Sequence, residues 1–247
     1  MTPFRWKNCY ADVLTSKHDL TIESYFNDVI VPALDTLDEK IEALNNSDWP
    51  GAVFAHADMK DMLRESKLAF GLAIQSIWER QLRAYLRGCA GELRPGEPVG
   101  AKIERANWKD LRKCFRELRG IDLEAFPSFD ILDVLQHLGN ACRHGDGGSA
   151  AELAQRCPDF WPTMPIVPPM PHMPPDPRSI ELPRTVGLMD IPVEGLRAFV
   201  AGIAQFWRDA EYIYNESIER KDAHLAARLA SERAERSWVP QAPTGGA

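Results

Sequence analysis

Asp133, His137, Asn140 and His144 follow one another at steps of four, three and four. On a helix that spacing puts two imidazoles, an amide and a carboxylate on one face. An imidazole ionises near neutral pH, so it can take a proton from an attacking group and return it to a leaving group. The stripe runs into Arg143-His144-Gly145-Asp146-Gly147-Gly148, where the glycines let a ligand or a second chain come close to the backbone. The same residues also suit the wet face of an amphipathic helix with a glycine at its end, where the helix dipole alone favours a terminal histidine. His137 reads as the partner of Asp133 one turn away. A metal shared by Asp133, His137 and His144 is not expected, because the two histidines stand two turns, ~10 Å, apart along the axis.

The elements that must hold this stripe are helical. A helix is expected after Pro127, capped by Ser128, with Asp130 and Asp133 near its positive end and Ile131, Leu135, Leu138 and Cys142 as its apolar face; Gly145 ends it. Ser149-x-x-Glu152 has the form of a capping box for a short helix that follows. Upstream, Ile22, Phe26, Val29, Ile30, Ala33, Leu37, Ile41 and Leu44 recur at helical steps, with Pro32 expected to bend or split the helix near Val31. A second helical region is expected from about Ala52 to Arg87, with Gly71 admitting a neighbouring helix, and a shorter helix from Trp108 to Leu118. Between them, Gly88 to Gly100 reads as a loop, with four glycines and two prolines. Ten of the 26 residues from Pro158 to Pro183 are proline, which leaves no regular helix there and suggests an extended surface segment. A weak strand signal at Ile180 to Leu182 is the only one in the chain. The last helix has Leu196, Phe199, Val200, Ile203, Phe206, Trp207, Ala210 and Ile213 in phase, then continues as a charged extension to about Arg236, solvated or partner-binding. The expectation is an all-α bundle forming one domain over residues 1–236, with a proline-rich excursion at 158–184 and a flexible tail at 237–247.

Composition narrows the function classes. The 247 residues are 45% hydrophobic and 26% charged, so disorder along the whole chain is excluded and a core can form without disulfides. The longest nearly apolar run, Leu68 to Trp78, is interrupted by Gln75 and Ser76 and is too short to span a membrane. Arg5, Lys7, Asp12 and Lys17 stand where a secretion signal would be apolar, so a cytoplasmic location is expected. Cys9, Cys89, Cys114, Cys142 and Cys157 make no C-x-x-C pair and read as buried small hydrophobes. No Walker, dinucleotide-binding, G-x-S-x-G or H-E-x-x-H motif is present, and no cofactor is expected. The net charge of −7 argues against bulk electrostatic coating of nucleic acid. Locally, Lys102 to Arg119 carries seven positive charges against three negative; it suits RNA phosphates, an acidic partner or plain solvent.

The run Leu138-Gly139-Asn140-Ala141-Cys142-Arg143-His144-Gly145-Asp146-Gly147, followed by Ser149-Ala150, Leu153 and Pro158-Asp159-Phe160, resembles the N-x-x-(K/R)-H-G-(D/E)-G … S-A … L … P-D-(L)-F pattern of HEPN-like proteins. The segment Ile77 to Leu86 is similar to the long second helix of that group. The resemblance implies an α-helical domain of a prokaryotic toxin–antitoxin or antiphage system. It implies a homodimer, an antitoxin or defence-system protein as partner, and metal-independent RNA cleavage. On that resemblance His144 is the acid/base group acting on a ribose 2′-hydroxyl, and Asn140 orients it or the phosphate. One position departs from the pattern. Gly139 stands where the usual Arg precedes Asn140, so the cation that would stabilise the phosphorane must come from Arg143, or from Arg80 or Arg83 across the bundle. Arg80, Arg83, Arg112 and Arg116 are the expected RNA contacts. The alternative implied by Gly139 and the acidic balance is a non-catalytic scaffold that binds a partner protein or a nucleotide.

Overall fold

The computed structural model describes residues 4–161 and 184–241. Among these residues all regular structure is helical. The order is α1 (Tyr10–Leu14), α2 (His18–Ser24), α3 (Val31–Asn45), α4 (Ala52–Leu93), α5 (Val99–Arg105), α6 (Trp108–Arg119), α7 (Phe129–His144), α8 (Gly148–Arg156), α9 (Val193–Ser217) and α10 (Ala223–Glu235). No helix among the described residues is long and apolar enough to cross a membrane. The weak strand signal at Ile180 to Leu182, most of the proline-rich stretch and the end of the tail lie outside the described residues.

The 42-residue α4 is the axis of the molecule, contacting α1, α3, α5, α6, α7 and α9. It runs six residues beyond the expected end at Arg87, straight through Gly88 and Gly91, because packing of its buried face outweighs the cost of about 1 kcal/mol for a helical glycine. The remaining residues to Gly100 are not all loop either, since α5 begins at Val99 and buries Ile103. Pro32 does not split its helix. The ladder instead widens into a π-helical turn over Tyr25–Ile30, in which Val31 N–H reaches Phe26 O, and α2 and α3 continue as one rod. Gly71 admits α7 as expected, with Leu138 packed against it.

The core is centred on aromatic residues of α4 and α9. Trp78 meets Phe206 edge-on at 4.8 Å, Trp207 packs on Trp78 and Tyr85, and Trp207 Nε1 donates to Gln81 Oε1 at 3.0 Å. The charged continuation of α9 is not a free extension. The helix ends at Ser217, and α10 folds back to place Arg233 on the buried Glu216 and Arg236 on the buried Asp209, with Leu229 fully enclosed. Burying two carboxylates on one helix demands paired cations, and α10 and the residue that follows it supply them.

The basic stretch divides: Lys102, Arg105, Lys109, Lys113 and Arg116 are exposed, Arg112 is half-buried and Arg119 is not at the surface. Arg119 is wholly buried: Nη2 donates to Asp12 Oδ1 at 2.9 Å, and the guanidinium stacks 4.0 Å from the Trp6 ring. Arg112 pairs with Glu124, Arg116 with Asp122 at 3.4 Å, and Lys102 with Glu117 at 3.5 Å. Where the chain leaves the described structure after Trp161 and re-enters at Arg184, its two ends are tied. Trp161 Nε1 donates to Thr185 O at 2.7 Å, and Asp190 N donates to Phe160 O at 2.7 Å.

Candidate functional site

The polar stripe of α7 forms as the spacing predicts, but its members divide into a structural half and an open half. Asp133, in the second turn, is gripped from three sides. Oδ1 accepts from Trp108 Nε1 at 2.8 Å, Oδ2 from Arg156 Nη1 at 2.6 Å, and His137 Nε2 lies 3.7 Å from Oδ2. The other ring nitrogen of His137 lies 3.3 Å from Ser149 Oγ. Asp133 and His137 thus tie α6, α7 and α8 together.

Burial alone would raise the Asp133 carboxyl, but the hydrogen bonds from Arg156 and Trp108, with the charge of His137, outweigh it and hold it below the ordinary range. Glu79 is depressed in the same way, burial being overcome by Arg83 and Gln75. A depressed folded value means the stabilisation is full above the unfolded value near ~4 and is lost as pH falls through the folded one. The expected result is a Tm that drops more steeply between about pH 5 and pH 3 in the wild type than in Asp133→Asn. Equal slopes in thermal denaturation would remove Asp133 as a source of the acid sensitivity.

One turn further on, the stripe is open. Asn140 and the exposed His144 border a cleft of about 320 Å³ completed by Gly145 to Ser149. Gly145 closes α7 at φ +74°, a left-handed conformation that a side chain would disfavour, and the turn it makes brings the amino end of α8 into the same cleft. First-turn N–H groups of a helix lack intrahelical acceptors and carry the positive end of its dipole, so this end suits an anion. Asp146 also lines the cleft and sets a carboxylate beside that helix end, and its Oδ1 accepts from Val186 N at 2.7 Å, fastening the cleft loop to the segment before α9.

The expected capping residues behave differently from the sequence reading. Ser149 does not cap α8. The helix starts one residue earlier, and the Ser149 hydroxyl faces His137 while the residue lines the cleft. Ser128 does sit at the N-cap of α7, but its hydroxyl is buried without a partner.

The arginines expected beside His144 are arranged around a buried network that the sequence reading missed. Gln75 of α4, fully buried, donates to Gln136 Oε1 at 2.9 Å and to Glu79 Oε2 at 2.6 Å, and its own Oε1 accepts from Arg143. Arg143 therefore turns toward α4, with Ser76 Oγ 3.4 Å from the same nitrogen. Gly139 is where this network meets α7. A Cβ there would lie 2.6 Å from Gln75 Cγ and 2.8 Å from its Oε1, so any side chain at the position that would hold the motif Arg requires Gln75 to move. Arg83 is also committed: it pairs with Glu79 and donates to the carbonyls of Ile103 and Ala106, closing the end of α5. Arg80 is exposed on α4. Arg112 and Arg116 line a separate, smaller cleft together with their acidic partners Glu124 and Asp122. The site that emerges is an imidazole, an amide and a helix amino end around an open cleft. No protein-family model, curated protein or solved structure matches the chain.

Proposed function

We propose that the chain is a metal-independent endoribonuclease of HEPN-like type, a toxin or antiphage effector, whose reaction takes place in the cleft at the junction of α7 and α8. The observation that carries this reading is the meeting of His144 and Asn140 with the amino end of α8 in one open cleft. A phosphate of the RNA backbone is held at the first turn of α8 and by the Asn140 amide. His144 accepts the proton of the adjacent ribose 2′-hydroxyl, the 2′-oxygen attacks phosphorus, and the P–O5′ bond breaks as the 5′-oxygen takes a proton from water to leave as a hydroxyl, giving a 2′,3′-cyclic phosphate; His144 returns its proton to the hydroxide so formed. The helix amino end takes part of the charge-stabilising role that an arginine at position 139 would have had. His144 lies exposed at the rim, where a second copy of the chain can approach it, in keeping with a homodimer; an antitoxin or other defence-system partner would act by covering the same rim.

The test is incubation of the purified chain with total RNA and with tRNA in EDTA. His144→Ala is expected to lose cleavage by about 10²–10⁴-fold while keeping the wild-type Tm, since the side chain is exposed and supports no packing. Equal fragment yields from wild type and variant would end the nuclease reading. A second reading, RNA or partner binding without cleavage, is favoured by one observation: Arg143 and Arg83 are both drawn into protein contacts. RNA retention by the wild type without fragments, abolished by Asn140→Ala, would select it.

A further inference from the structure

We infer that Cys9 and Cys89 form an oxidisable dithiol, which a hydroperoxide converts into an intramolecular disulfide joining the N-terminal segment to α4. The two Sγ atoms lie 3.2 Å apart in a buried S–H···S contact, although 80 residues separate them in the chain. Local packing enforces the encounter. Ala11 of α1 nests against Gly88, where a Cβ would stand 2.7 Å away, and Cys9 N–H donates to Asp12 Oδ2 at 2.8 Å. Closing to a covalent S–S bond of ~2.05 Å requires a movement of roughly 1 Å.

The surroundings favour the thiolate that such a reaction needs. Arg119 Nη1 lies 3.7 Å from Cys9 Sγ and 3.5 Å from Cys89 Sγ. The Cys9 thiol is held below its ordinary value because Cys89 donates to its thiolate, which outweighs burial. Cys89, by contrast, is raised by its bond to Cys9 and by burial, and burial pushes Cys142 up to about 11 and raises Cys114 and Cys157 as well, so Cys9 alone among the five is the attacking thiol.

A metal ion is the competing reading, since Cys9, Asp12 and Cys89 converge closely enough to ligate one. Charge argues against it, because Arg119 sits within 4 Å of both sulfurs and pairs with Asp12. Asp12 Oδ1 accepts from Arg119 and Tyr85 OH and Oδ2 from Cys9 N–H, and the buried guanidinium already holds the positive charge of the cluster.

The chemistry balances with hydrogen peroxide as the two-electron oxidant. The Cys9 thiolate attacks one oxygen, the O–O bond breaks, and Cys9–SOH forms as the departing hydroxide takes a proton to become water. Cys89 then displaces the sulfenic oxygen, forming the S–S bond, and its proton leaves with that oxygen as a second water. Access comes through the non-helical stretch ahead of α1, held by Trp6 N to Ser217 Oγ at 2.9 Å and Asn8 Nδ2 to Tyr214 O at 3.3 Å, which opens more readily than the helical core.

The test uses the full chain. It is exposed to graded hydrogen peroxide, alkylated, digested without reductant and mapped by mass spectrometry. The expected product is a Cys9–Cys89 linked peptide, lighter by two hydrogens and lost on adding dithiothreitol, with Cys114, Cys142 and Cys157 still alkylated. The oxidised chain should also unfold several degrees above the reduced one, because the bridge closes a long loop. A triple variant, Cys114→Ala, Cys142→Ala and Cys157→Ala, leaves the pair untouched and should give the same bridge. Recovery of Cys9 and Cys89 as alkylated thiols at peroxide levels that oxidise any other cysteine, or Cys9 as sulfinic acid beside a free Cys89, would overturn the inference.

Discussion

Asp12→Ala is expected to cost about 3–5 kcal/mol of folding free energy, the range measured when one partner of a buried ion pair is removed. Arg119 has no exposed side-chain surface, and its Nε already lacks a partner, so the loss of Asp12 leaves a cation enclosed by Trp6, Tyr85 and two sulfurs. The Tyr85 hydroxyl and the Cys9 amide lose their acceptor at the same time. In a chain of this size the loss corresponds to a Tm lower by roughly 10 °C. The double variant Asp12→Leu with Arg119→Met should recover most of it, since an apolar pair of similar volume avoids the desolvation cost. Urea denaturation of the three proteins checks this. A single Asp12→Ala variant within about 1 kcal/mol of wild type would mean that water reaches the guanidinium.

Gly139→Arg, the change that would restore the arginine of the resembled motif, is expected to unfold or severely loosen the protein rather than activate it. The first atom of any side chain there already collides with Gln75. Gln75 cannot swing aside without breaking its bonds to Gln136, Glu79 and Arg143. Gly139→Ala isolates the steric part. Alanine improves helix propensity by up to about 1 kcal/mol, whereas overpacking costs about 1–3 kcal/mol, so a net loss is expected. Gln75→Ala should relieve that loss in the double variant, a coupling that a double-mutant cycle reads directly. For Gly139→Arg a guanidinium must also enter the α4–α7 seam, and the penalty becomes comparable with the whole stability of an ordinary domain. A Gly139→Arg protein that melts with the wild type would show that α4 and α7 can separate at no cost.

The sequence was most legible where helical period and end signals coincide. α6 begins after Asn107, whose side chain accepts from Asp110 N, and ends at Gly120 with φ +69°. α7 runs from the residue after Ser128 to the residue before Gly145, and the Asp133–His137 contact follows from spacing alone. What stayed hidden was tertiary. Arg119 looked like one more cation of a basic helix; only the partner 107 residues away in α1 shows that it is buried. Gln75 and Ser76 appeared as a break in an apolar run. A polar residue inside such a run is a signal for a buried hydrogen-bond network, but the partners at 136 and 143 depend on how α7 lies against α4. The glycines at 88 and 91 read as a helix end because propensity is local, whereas the packing that carries α4 to Leu93 is not.

The π-helical turn over Tyr25–Ile30 has a geometric consequence for the rod formed by α2 and α3. Its deeply buried residues, Ile22, Phe26, Ile30 and Leu34, recur at an unvarying interval of four. An α-helix advances ~100° per residue, so each such step overshoots a full circle by ~40° and the row would wind sideways off the core. The wider turn absorbs part of that overshoot, like a leap day inserted to keep a calendar in season. Deleting one residue from the turn would give a more regular ladder, yet it would send every side chain beyond it toward a different compass bearing.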